Sequence, residues 1–456
     1  MTRPENEPFK KPGKYRRAFD WRLSHGQDPL SRDAAGGMGR LASSDYLDIL
    51  EDFLAISRKR QRNPTALAKL QIYMIEELLL QENASKHYRQ RIKELETSGS
   101  PADPEQHKEE TDFNKRVQFF HRMYANAIRA IGDGIAWRAL GYDRAVTRLL
   151  GERETHQHLS AEGTVPELRE WSYQFDSGSG IAILNALTNC LAIGDITVVR
   201  NDGSAEIIEV KSSNTKSGRK VRQKQAMSEV VTLLDSGKGE NESREVQIEV
   251  LPIRPESSLD KVEELLDAAA VTGRAVRRIN DCLYVEAFDF RKMSREENLQ
   301  DAMKVLRKQA IGEWEERGDL IIDMNSLDAV AYTPNCAPFS IFPFRSRTCI
   351  ELLVGARFFK SFLNLSAIER EFTRRGWTLE KDFKVFAEAG STESVLKVRK
   401  GPFHCTVPPS DLMRLQMETL RPKTLIDALE CKFREGPSGD QGYLLALYAE
   451  ESKLWN

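Results

Sequence analysis

The sequence is poor in the residues that tie chains together through sulfur or metal. Its six cysteines are scattered over 456 residues, at Cys190, Cys282, Cys336, Cys349, Cys405 and Cys431, and none forms a C-x-x-C pair. That spacing excludes a disulfide framework and reads as reduced thiols in a cytoplasmic protein. Histidines number seven. Two of them, His156 and His158, form an H-x-H without the further ligands of a zinc set, so a solvated loop is the expectation there. No apolar run is long enough to span a bilayer. The opening stretch, Met1 to Lys14 with Pro4, Pro8 and Pro12, lacks the apolar segment of a secretory signal. No membrane partner is expected. Net charge is missing too: 67 basic residues against 69 acidic ones leave −2. A chain so balanced does not hold nucleic acid through its overall field. Any such contact must come from a local patch.

What is present divides into four parts. Residues 1–44, rich in Pro, Gly and Ser, predict a poorly ordered arm made basic by Lys10, Lys11, Lys14, Arg16 and Arg17. Residues 45–112 read as a helical region and linker. Asn63-Pro64 is a helix start, and Leu67, Leu70, Met74 and Leu78 then recur on one face. The stretch SGSPADPEQHKEET (98–111) supplies the linker. Residues 113–254 begin with a second helical stretch to Leu150, expected to break or bend at Gly132-Asp133-Gly134. A short strand is expected at 171–175, and the apolar run 181–187 could be helix or strand. A helix over about 217–234 and a strand over 246–253 close this part. Residues 255–456 alternate helices (259–269, 296–317) with strands (283–288, 320–323, 383–387, 395–398), and Pro408-Pro409 precedes two last helices. They are expected to form a C-terminal α+β domain of unknown role, in recognition or regulation.

The chemistry concentrates at one place. Two β-rich runs, 191–199 and 206–211, flank Asn201-Asp202-Gly203-Ser204, a hairpin turn signal. Side chains two apart on a strand share a face, so Glu209 and Lys211 point with Ile207 while Ile208 and Val210 are expected to enter a core. A turn near Asp202 sets Asp195 across from the stretch 209–211, with opposed Cβ atoms about 5 Å apart. Two carboxylates so placed suit Mg²⁺, with Mn²⁺ able to substitute, and the lysine can offset charge on a phosphate. Gly194 leaves room beside Asp195. The other short acid-x-Lys matches, at Glu430, Glu451 and Asp382, have no such acid on a paired strand. The plain alternative is a surface hairpin with a Glu209–Lys211 ion pair, a contact of little energetic weight. Beyond the hairpin, Lys211, Lys216, Arg219, Lys220, Arg222 and Lys224 fall together with no acid between Val210 and Glu229, a patch suited to a phosphodiester backbone.

The run GDITVVRNDGSAEIIEVKSS, followed by SGRKVRQKQAMSEVVTLL, resembles the PD-(D/E)xK nuclease superfamily over roughly residues 126–253. The resemblance implies a restriction-endonuclease-like core of αβββαβ order within a mixed α/β and α+β chain. It implies that Asp195 and Glu209 bind the metal, that Lys211 and Gln223 (with Gln225 behind it) serve catalysis, and that an acid of the first core helix joins them. Asp133 is the first choice for that acid, ahead of Asp143 and Glu152. The proline common before the aspartate is Gly194 here. The activity implied is Mg²⁺-dependent hydrolysis of nucleic acid, with DNA as the expected substrate, by metal-activated water. A bacterial antiviral-defence or restriction effector would suit it, working as a homodimer or with a defence-system partner protein. The alternative is a non-catalytic nucleic-acid-binding or scaffold protein that keeps the fold.

Overall fold

The computed structural model describes residues 44–61, 63–97, 104–151, 164–178, 180–210, 238–241, 244–292, 299–329, 337–381, 396–407, 409–435, 443–448 and 451–455. The basic arm, the helix expected at 217–234 and the strand expected at 383–387 lie outside them. Helix α1 (Ser44–Lys59) leads into α2 (Pro64–Thr97) and α3 (Pro104–Ala139). The start of α2 follows the sequence signal: Pro64 is its first residue, and the Asn63 side chain accepts the Ala66 N–H at 3.0 Å. α2 and α3 run antiparallel, joined by a bond of 2.7 Å between His121 Nδ1 and Gln81 Oε1 and by an Arg129–Glu82 pair.

The break expected at Gly132-Asp133-Gly134 is not there, because α3 runs straight through it. Both glycines serve contact instead. A Cβ on Gly132 would lie 1.9 Å from the Leu187 carbonyl oxygen, and one on Gly134 would lie 2.6 Å from Ser340 Oγ. Next come α4 (Arg144–Gly151), capped by Asp143 on the Val146 N–H at 2.9 Å, and α5 (Thr164–Asp176). α5 replaces the strand expected at 171–175. Trp171, Tyr173 and Phe175 alternate as a strand would, but the buried side chains are Leu168 and Trp171, at helical spacing. Phe175 stacks on Trp171 one turn on, at 6.3 Å, and Tyr173 faces solvent.

Strands β1 (Gly180–Leu184), β2 (Ile196–Arg200) and β3 (Ala205–Ile208) form an antiparallel meander in that order. The run 181–187 thus divides into a strand and a 3-10 turn. The outer edge of β1 is closed by a side chain. Gln71 of α2 donates to the Ala182 carbonyl at 2.9 Å and accepts the Leu184 N–H at 3.0 Å, as a neighbouring peptide would. Trp171 of α5 also donates to Ala182, at 3.0 Å. An exposed strand edge is thereby covered.

β4 (Lys238–Asn241) and β5 (Arg244–Leu251) form a hairpin. Then follow α6 (Leu259–Thr272), β6 (Arg274–Asn280), β7 (Leu283–Asp289), α7 (Leu299–Glu316), β8 (Ile321–Asn325), α8 (Ser346–Leu353), β9 (Arg357–Asn364) and α9 (Leu365–Arg374). The four strands of this stretch make an antiparallel sheet of order β6-β7-β9-β8. β10 (Thr378–Lys381), β11 (Leu396–Lys400) and β12 (Phe403–Val407) form a second meander, followed by α10 (Pro409–Met417) and α11 (Pro422–Glu435). A last strand, β13 (Tyr443–Tyr448), pairs in parallel with β5.

That pairing crosses the domain boundary expected at 254/255, and it is not alone in doing so. One core cluster runs from Tyr46 to Trp455. Arg58 donates to the Phe342 and Phe344 carbonyls at 2.6 Å each, and Arg138 donates to Ser340 at 2.6 Å. Buried Arg144 and Glu418 pair at 2.5 Å, with Arg414 on the same carboxylate group at 2.9 Å. The chain is a mixed α+β protein whose halves share their interior.

Candidate functional site

The β2–β3 hairpin forms with the turn the sequence predicts. Ser204 donates through its backbone and hydroxyl to Asp202 Oδ1 at 2.9 and 2.7 Å, a side-chain-closed turn. The last register pair before the site is Ile196 with Ile208. There the regular ladder ends. Asp195 stands beside the chain that continues β3: its N–H donates to the Ile208 carbonyl at 2.9 Å and its Oδ2 accepts the Val210 N–H at 2.6 Å. Asp195 and Ile196 thus both face Ile208, as in a β-bulge, and the regular pairing does not carry on to Glu209. Asp195 is buried and Glu209 half-buried, so the hairpin end is not a solvated surface loop.

The faces differ from the expectation in one respect. Ile207, on the Glu209 face and paired with buried Thr197, is the most deeply buried residue of β3, whereas Ile208 and Val210 are half-buried. All three pack on the common core, because the hairpin is covered on both sides.

Gly194 is more than a space-maker. Its φ of 72° lies in the left-handed region, and a Cβ there would meet Ile207 Cγ2 at 2.4 Å. Proline, fixed near −65°, could not stand at this position.

Two residues missed by sequence reasoning build the rest. Asn185, buried just after β1, donates from Nδ2 to the Ile193 and Gly194 carbonyls at 2.8 and 3.2 Å, while its Oδ1 accepts the Thr197 hydroxyl at 2.9 Å. Its backbone N–H also donates to the Asp195 carbonyl at 3.0 Å. It therefore fixes the approach to Asp195 from both ends. The second is Glu167 of α5, half-buried and one helical turn before Trp171, the residue that anchors the helix to β1. Burial first, and then the negative charge of Asp195, push the Glu167 carboxyl up to about 7. No cation pairs with Glu167 among the described residues. The signal was the i, i+4 spacing of Glu167 and Trp171, which is legible only once α5 is read as a helix.

Asp133 has another task. It is fully buried, and its Oδ1 accepts the Asn189 and Cys190 N–H groups at 2.6 and 2.9 Å while Oδ2 accepts Asn189 Nδ2 at 3.0 Å. Burial raises its carboxyl, and these bonds oppose the rise. Its carboxylate shapes the loop between β1 and β2 rather than a metal shell. Asp143 is the cap of α4. Glu152, Lys211, Gln223, Gln225 and the basic run Lys216, Arg219, Lys220, Arg222 and Lys224 lie outside the described residues.

Comparison with family models, curated proteins and solved structures returns no match. The geometry stands by itself. Among the described residues no group of three or more His, Cys, Asp or Glu side chains is gathered closely enough to hold a metal ion. What α5 and the hairpin do offer is oxygen only, from Asp195, Glu209 and Glu167. That donor chemistry fits a hard divalent cation, and the Glu167 carboxyl is raised first by burial and then by the Asp195 charge. No helix among the described residues is long and apolar enough to cross a membrane.

Proposed function

We propose that this chain is a metal-dependent nuclease that hydrolyses phosphodiester bonds, in DNA by preference, on a restriction-endonuclease-like core built around α5 and β1–β3. The observation that carries the reading is the convergence at the hairpin end. Asp195 closes on the backbone of Ile208 and Val210, the two residues that flank Glu209, and the Asp195 charge reaches Glu167. Asp195 and Glu209 would hold Mg²⁺ or Mn²⁺, with Glu167 rather than Asp133 as the neighbouring acid whose titration responds to the Asp195 charge. Such an ion supplies Lewis-acid polarisation of a phosphoryl oxygen. Asn185 and Gly194 hold Asp195 in place from behind. Lys211 follows Glu209 by two positions in the sequence, and its ammonium would offset charge on the reacting phosphate. Gln223 and the basic run belong to the following segment, where the cations suit the nucleic-acid backbone. A cytoplasmic defence or restriction role, as a homodimer or with a partner protein, is the setting this activity suits.

The test is cleavage of plasmid, single-stranded DNA and RNA with Mg²⁺, with Mn²⁺ and with chelator. Metal-dependent cutting is expected from the wild type, with loss of at least about a hundredfold in Asp195→Asn, Glu209→Gln and Lys211→Ala. Circular dichroism should show each variant folded. Metal-independent cutting, or full activity in any one variant, overturns the assignment. DNA binding without cutting returns the reading to a non-catalytic nucleic-acid-binding protein.

A further inference from the structure

The four-stranded sheet carries a carboxyl group that the candidate site does not use. Glu286 lies mid-strand on β7, fully buried, and neither of its carboxyl oxygens has a hydrogen-bond partner. An ionised carboxylate without partners is among the costliest groups a core can hold. Register places Glu286 between two aromatic rows on one face of the sheet, Tyr284 opposite Phe362 on one side and Phe288 opposite Phe358 on the other. Helix α7 covers the first row with Ala310, Ile311 and Trp314, and Trp314 meets Tyr284 edge-on at 4.9 Å.

The charged groups on this face are committed elsewhere. Lys360 of β9 stands directly opposite Glu286, yet it pairs with Asp323 of β8 and lies over the Phe362 ring at 5.2 Å. Arg307 of α7 pairs with Glu315 at 2.9 Å and lies over the same ring at 5.6 Å. On β6 the direct neighbour is apolar Val276. Arg274 and Arg278 flank it on that face, and Arg278 pairs with Asp281. Burial pushes the Glu286 carboxyl up to about 7, against the pull of the Lys360 and Arg307 charges and with a push from Asp323.

We propose that Glu286 is a proton-operated latch: protonated, it lets α7 seal the aromatic face of this sheet, and ionised, it loosens α7 from that face. The inference does not depend on the nuclease reading. Its direction follows from linkage. The docked state holds a proton that an undocked glutamate has released above about 4.5, so docking is firmest below that value and weakens as pH rises through about 7.

Hydrogen exchange of the full chain at about pH 5.5 and about pH 8, corrected for the intrinsic amide rate, reads this directly. Protection of residues 304–316 should fall about tenfold or more between the two, relative to α2, in the wild type. Glu286→Gln keeps the shape without the charge and should show no such fall. Glu286→Met gives the same reading should the amide variant fail to fold. Wild-type protection that is flat with pH, or an equal fall in a folded variant, overturns the latch.

Discussion

At the scale of single residues, the site turns on which acid has company. Asp133 and Glu167 are both acids on helices next to the meander, and of the two the sequence reading named only the first. Asp133 is fully occupied by three N–H donors, whereas Glu167 is left with burial and a neighbouring negative charge. A prediction follows from the order of those causes. Asp195→Asn should lower the Glu167 pKa from about 7 only part of the way to its ordinary value, because burial is the larger cause and remains. Carboxyl-carbon NMR across pH 4–9 would measure it, and an unmoved titration would show the two acids to be uncoupled. The sign for stability is that of any raised acid. The native state prefers the protonated form, so the Glu167 contribution is full below the unfolded value near 4.5 and is lost as pH rises through about 7. A divalent ion should reverse this preference by favouring the ionised form. Added Mg²⁺ should therefore lower the Glu167 titration.

At the scale of elements, the hairpin was legible because its information is local. Asn201-Asp202-Gly203-Ser204 dictates a turn, and the turn dictates register, which brings the 208–210 stretch alongside Asp195. α5 was illegible for an equally local reason: its aromatics at 171, 173 and 175 carry a strand's alternation, and only packing shows that two of them stack on one helical face. The glycines of α3 failed for a non-local one. Helix propensity alone calls Gly132 a weak point, and nothing nearby in sequence says that the Leu187 carbonyl will lie against it. Magnitudes make this testable. Gly132→Ala should gain about 1 kcal/mol of helix propensity. Against that stands a Cβ placed 1.9 Å from backbone, an overpacking that cannot be relieved by turning a side chain. Overpacking costs about 1–3 kcal/mol or more, so the net change should be a loss, seen as a lower urea midpoint at unchanged slope. A more stable variant would mean that α3 does not pack on the turn after β1. β13 escaped the sequence reading as well, because a strand so far along the chain declares itself only through its partner.

At the scale of the whole molecule, the division into a nuclease part and a recognition part describes the sequence better than the packing. A fragment of residues 1–254 would lose β13 from β5, the carbonyls that hold Arg58 and Arg138, and the Glu418 carboxylate that neutralises buried Arg144. Leaving one member of a buried pair behind costs about 3–5 kcal/mol, a large share of a typical domain's stability. The fragment should bind a hydrophobic dye and melt without a cooperative transition. A sharp thermal transition by circular dichroism would restore the idea of an independent N-terminal unit. The β5–β13 ladder also bears on how the protein comes into being. Tyr443 pairs with Val246, roughly 200 positions earlier, and a ribosome adding about 5–20 residues per second needs roughly 10–40 s to cover that span. Throughout that interval one edge of β5 has emerged while its partner has not yet been translated. A parallel partner arriving so late is slow to find, so the nascent chain passes through a long window in which a chaperone, or an unwanted strand from another chain, can take the place that β13 will occupy.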